Sequence, residues 1–136
     1  MNTTAQDTGR FASDTRAAPL PRWASLALRA LQILAALAFL AAGGAKLAGV
    51  PDMVAMFEAM GFGQWFRYFT GLYEVAGAVL LLVPRTAWVG AAMFVMQMAA
   101  AVVVHVALVG GSPVPAIVLL LVSAVILWYR RPGRRD

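Results

Sequence analysis

The 136-residue chain contains no cysteine. It therefore holds no disulfide, no thiolate nucleophile, no Cys-ligated zinc and no iron–sulfur cluster of its own. Its single histidine cannot supply a paired-histidine metal motif or both axial ligands of a haem, so no metal site is expected. Charge is scarce as well: 12% of residues are charged, against about 25% in ordinary globular chains. The sequence has no G-x-x-x-x-G-K-[ST] loop, no G-x-G-x-x-G and no H-E-x-x-H. No catalytic triad can be assembled from what is left, and no self-contained enzyme chemistry is legible.

What is present is hydrocarbon. Hydrophobic residues make up 62% of the chain and the mean hydropathy is +0.77. A soluble domain of this size has too little interior to hide that much apolar surface, whereas a bilayer serves as its solvent. The net charge of +5 would suggest nucleic acid in a soluble protein. Here the basic residues flank apolar runs, so they read as topology signals and contacts to anionic lipid headgroups, with no nucleic-acid partner.

Four apolar runs follow a polar, Pro-containing stretch (MNTTAQDTGRFASDTRAAPLPR), read as a disordered cytoplasmic tail over 1–22. They cover about Trp23–Gly44, Phe66–Val83, Ala87–Val109 and Val114–Tyr129, making a membrane domain over 23–129 with a basic tail over 130–136. A bilayer core is crossed by about 20 helical residues, range 17–25, and lipid offers an open backbone no hydrogen-bond partner. The expected fold is all-α: four transmembrane helices. The first run is longer than a signal-peptide core and has a long polar leader, so it is read as a span. Arg10, Arg16, Arg22, Arg29, Arg85, Arg130, Arg131, Arg134 and Arg135 fall on one side and Lys46 and Arg67 on the other. The excess places both termini in the cytoplasm of an inner, or plasma, membrane protein. Trp23, Trp65, Trp88, Trp128 and Tyr129 fall at span ends, as interfacial anchors do.

The linker VPDMVAMFEAMGFGQWF repeats Val54, Phe57 and Met60 at helical spacing after Pro51-Asp52. It predicts a short amphipathic helix between the first two spans, either an interfacial anchor or a cap over the bundle.

The polar residues fall on faces. At 100° per residue, Arg29, Gln32, Ala36, Phe39, Gly43 and Lys46 share one stripe of the first span. Gly71, Glu74 and Ala78 share a face of the second, and Gln97, Ala101 and His105 a face of the third. With alternating span directions, Lys46, Glu74 and His105 come to a similar depth in the outer half. A carboxylate in hydrocarbon must neutralise or find a cation. Glu74 therefore either ties helices together or serves a ligand- or proton-handling site with Lys46, His105 and Gln97. Gln97 reads most simply as interhelical glue, and the methionines as adaptable packing.

The run ALRALQILAALAFLAAGGAKLAG, the Gly43-x-x-Lys46-Leu47 ending, the amphipathic linker, Gly71-x-x-Glu74-x-x-Gly77 and the late His105 together resemble the DoxX-like family of small four-helix membrane proteins. The resemblance covers about Leu26 to Trp128 and leaves the polar tail outside it. It implies a four-helix integral membrane bundle. It also implies a setting among sulfur- or quinone-linked oxidoreductases, with membrane anchoring of a soluble redox subunit as one role. A bound quinone would be the cofactor to look for. In that reading Lys46, Glu74, His105 and Gln97 line the site, under a lid of Phe57, Trp65 and Tyr68. Two rivals stand beside it. One is a small proton-coupled exporter using Glu74, working as a homodimer. The other is a structural membrane protein whose polar residues only hold the helices together.

Overall fold

Pro21 opens the first helix, because its ring fixes φ near the helical value and its missing N–H is not needed there. The computed structural model describes residues 19–133, and helix α1 runs through Arg22–Ala48. It continues four residues past the apolar run and so carries Lys46 within regular helix. Gly49, at φ 71°, ends it: its N–H returns to the Lys46 carbonyl, and that of Val50 to the Ala45 carbonyl. This paired closure needs a left-handed residue, the reason for glycine at that position.

Helix α2 (Pro51–Met60) begins with proline in its first turn and Asp52 beside it, where a negative charge favours the helix dipole. Helix α3 (Gln64–Leu82) starts two residues before the expected span and stops ahead of Pro84. Helix α4 (Ala87–Val104) runs on into a π turn, His105–Val109, closed by the Gly110 N–H on the His105 carbonyl at 3.0 Å. Helix α5 (Val114–Arg130) follows Pro113 and takes in Arg130, one residue beyond the expected end. The described residues contain no strand. The tail expectations for residues 1–18 and 134–136 lie outside the described residues.

Packing follows chain order: α1 against α3, α3 against α4, α4 against α5, and α5 back against α1. Helix α2 lies against α3, the π turn and α1, closing one end. Small residues let the helices approach. A methyl group built on Gly90 would lie 2.5 Å from the Gly77 carbonyl oxygen and 2.6 Å from the Leu81 nitrogen. The core between these contacts is Leu28, Ala35, Phe39, Ala78, Leu81, Phe94 and Ile126, all buried. Phe39 and Phe94 stack with ring centroids 3.5 Å apart and planes 3° from parallel, an arrangement worth about 0.5–1.5 kcal/mol beyond burial.

The inward stripe of α1 is Leu28, Gln32, Ala35, Ala36, Phe39 and Gly43. Arg29, expected on that stripe, is exposed instead. The stripe is set by the small and aromatic residues that pack, and Arg29 stands just off its edge, where its charge stays solvated.

The outward faces are apolar. Leu34, Leu72, Met96, Val106 and Leu121 are each at least 60% exposed, a contiguous hydrophobic coat that water does not tolerate on a monomeric soluble protein. Arg22–Ala48 and Ala87–Val109 are long and apolar enough to cross a membrane. Helix α5 is apolar but has 17 residues. Helix α3 has 19 residues but carries Gln64, Arg67, Thr70 and Glu74 in its first half.

Candidate functional site

At the end closed by α2, the helices leave an apolar cavity of about 260 Å³. Its walls include Phe39 and Ala42 from α1, Phe57 from α2, Phe66 from α3, Met98 from α4 and Leu119 from α5. Every helix thus contributes a wall. Four of the residues at its edge can hydrogen-bond through ionisable or amide side chains: Lys46, Glu74, Gln97 and His105.

Three of these four form one chain of bonds. Lys46 Nζ, on the last turn of α1, reaches both oxygens of Glu74 on α3, at 2.8 Å to Oε2 and 3.0 Å to Oε1. Gln97 Nε2, on α4, donates to Glu74 Oε1 at 2.6 Å. The carboxylate therefore has three donors from two neighbouring helices, and its side chain is only 3% exposed. The close approach of α1 and α3 at Gly43 and Gly71 makes this reach short: a methyl on Gly43 would meet the Gly71 carbonyl oxygen at 2.8 Å.

The fourth residue stands apart. His105 lines the same cavity, yet its Nδ1 lies 2.9 Å from the Ala101 carbonyl oxygen of its own helix. Glu74 is thus partnered by Lys46 and Gln97, not by His105. The spacing Gln97, Ala101, His105 places all three on the cavity. His105 also opens the π turn, a distortion found often at functional positions in helices.

Of the three aromatics expected as a lid, Phe57 is buried and lines the cavity. Trp65 and Tyr68 do not line it; they are 66% and 51% exposed on the outer face of α3. The reason is the early start of α3. Once residue 64 is helical, Trp65 and Tyr68 share its outward face, while Phe66 and Thr70 face the cavity. Met56 and Met60 complete the wall from α2.

Sequence reasoning missed two polar groups. Arg67 is buried, and its guanidinium donates to the Lys46 carbonyl, with Nε on Gln64 Oε1 at 2.6 Å. A cation at the C-terminal end of α1 complements the helix dipole there. Its signal was available: Arg67 lies four residues before Gly71, on the face already carrying Glu74. The second is Gln32, buried at the far end of the helices. It donates to the Leu81 carbonyl and accepts from Arg130 Nε at 3.0 Å, joining α1, α3 and α5.

Two polar atoms are buried with no partner among the described residues: Gln97 Oε1 and Ser123 Oγ. No cluster of three or more metal-ligating side chains occurs among the described residues.

Comparison with known proteins adds a family. No curated protein and no solved structure matches the chain. A family model does match, and with the two long apolar helices it marks a membrane protein. The matched segment, residues 30–129, runs from the first third of α1 to the last turn of α5 and contains Lys46, Glu74, Gln97 and His105, so the chain belongs to the DoxX-like family.

Proposed function

We propose that the protein is a four-span inner-membrane bundle that binds a small, mostly apolar molecule in the α2-capped cavity, as a ligand-binding or anchoring subunit of a redox complex. In this reading α1, α3, α4 with its π turn, and α5 cross the bilayer, and α2 lies at the outer surface. The basic residues that flank the helices orient both termini to the cytoplasm. Trp23 and Trp128 are 74% and 53% exposed near opposite termini of the chain, and Arg131 lies over the Trp128 ring at 3.9 Å. Both fit an interfacial belt on the cytoplasmic side.

One observation carries the ligand reading. The cavity is apolar-walled, reaches every helix, and meets the polar chain of Lys46, Glu74 and Gln97 together with His105. Apolar walls with a few convergent polar groups are the usual form of a small-molecule site. The test is native mass spectrometry of protein released from mild detergent, with its extracted molecules identified. A stoichiometric apolar ligand or a co-purifying soluble redox subunit supports the reading. Folded protein that is empty under every mild extraction, alone or as a homodimer, overturns it.

The structural reading has its own support, since Lys46–Glu74–Gln97 ties three helices together. Under it, Glu74→Gln lowers the melting temperature and leaves ligand retention unchanged. Proton-coupled export has less support. A coupling carboxylate must be released in turn to proton and substrate, whereas both oxygens of Glu74 are held. Reconstituted protein that moves no substrate along a proton gradient ends that reading.

A further inference from the structure

The hydrogen-bonding groups around the cavity do not suit every polar ligand equally. A carbonyl oxygen can only accept, so the Nδ1 that faces the Ala101 carbonyl carries the proton of the neutral His105 ring. That leaves Nε2 with a lone pair. Gln97 must present its NH₂ to the carboxylate that Lys46 holds, because its oxygen there would face another acceptor. That leaves Gln97 Oε1, which is buried and has no partner. Lys46 has three N–H donors and directs two at Glu74, leaving one. The cavity edge thus carries two unpaired acceptors and one unpaired donor, on residues from α1, α4 and the π turn.

A quinone carries carbonyl oxygens, which accept only. It could engage the remaining Lys46 N–H, and it would leave both acceptors unpaired. A hydroxyl group donates and accepts, so one hydroxyl meets an acceptor and the Lys46 donor together. Resting on the ligand reading above, we propose that the cavity selects an apolar phenol or alcohol over a carbonyl compound of the same shape. Selection follows from the cost of burying an acceptor without a donor, which discriminates more strongly than an added apolar contact. Phe39, Phe57 and Phe66 supply aromatic walls for the ring.

The test compares 2-naphthol with its methyl ether, 2-methoxynaphthalene, on the full-length protein in lipid nanodiscs. The ether keeps the ring and an acceptor oxygen but loses the donor. Empty nanodiscs correct for partitioning into lipid. Saturable binding of 2-naphthol at least about tenfold tighter than the ether is expected, the effect of one well-paired hydrogen bond. The double variant Gln97→Met/His105→Phe should bring the two within about threefold of each other by removing both acceptors. Equal or tighter binding of the ether by the wild type overturns the donor preference and leaves the ligand site standing. Saturable binding of neither compound overturns both. Because the decisive comparison uses the wild type, it survives any folding defect in the variant.

Discussion

Gly43 and Gly71 set the distance between α1 and α3. Each would drive a side chain into the other helix: a methyl on Gly43 comes within 2.8 Å of the Gly71 carbonyl oxygen, and one on Gly71 within 3.1 Å of the Gly43 carbonyl oxygen. Backbone atoms cannot rotate away as a side chain can. The short bridge from Lys46 to Glu74 depends on this spacing, since both residues lie one turn beyond the contact.

Gly43→Val should therefore cost about 1–3 kcal/mol through overpacking. Gly44→Ala, one residue along, has open space around its added methyl and should be neutral or slightly stabilising. Thermal unfolding of both variants in nanodiscs checks the contrast. Equal destabilisation of the two would show that the close approach does not matter.

Glu74→Gln removes the charge that balances Lys46, whose side chain is 12% exposed. Breaking a buried ion pair from one side costs about 3–5 kcal/mol. Replacing both partners, as Lys46→Met/Glu74→Leu, should recover much of that loss, because no uncompensated charge remains. A double-mutant cycle on unfolding midpoints measures the coupling. A double variant whose loss equals the sum of the two single losses would mean that the pair is not coupled.

Phe57→Ala opens the wall that α2 presents to the cavity. Loss of a buried phenylalanine costs about 3–5 kcal/mol and should also speed ligand release. Trp65→Ala removes a larger ring from the outer face of α3 and should change stability by no more than about 0.5 kcal/mol. Dissociation of 2-naphthol from the two variants separates a wall residue from a lipid-facing one.

Much of this was legible in the sequence, for identifiable reasons. The helices announce themselves through apolar run length, and Pro51, Pro84 and Pro113 mark where they begin or end. Gly71, Glu74 and Ala78 sit on the inward face of α3 because helical period alone decides it. Arg29 was misplaced because a stripe traced through polar residues drifts from the one that packing selects. Trp65 and Tyr68 were misplaced because the linker was taken to run to residue 65, and a shift of two residues in a helix start turns a face by about 200°. The partner of Glu74 was not legible at all. Lys46 and His105 share its depth, and only the angular position of each helix decides between them.

Gln32 offers a control away from the cavity. Gln32→Leu removes the bonds to the Leu81 carbonyl and to Arg130. A loss of about 1–3 kcal/mol is expected, since Arg130 and a carbonyl lose a partner together. Affinity for 2-naphthol should not change, because distant sites with no shared partner act independently. A weakened affinity would mean that the two ends of the molecule are mechanically linked.

The π turn at His105–Val109 makes chain length a rotational variable. A π turn accommodates one residue more than an α turn over the same stretch of axis. Deleting a single residue within 106–108 would let α4 regularise, and everything after it would turn by about 100°. Val109 and Pro115, both on the cavity wall, would then swing away from it. A one-residue change there would register as a re-aimed wall, with the loop that follows no tighter than before.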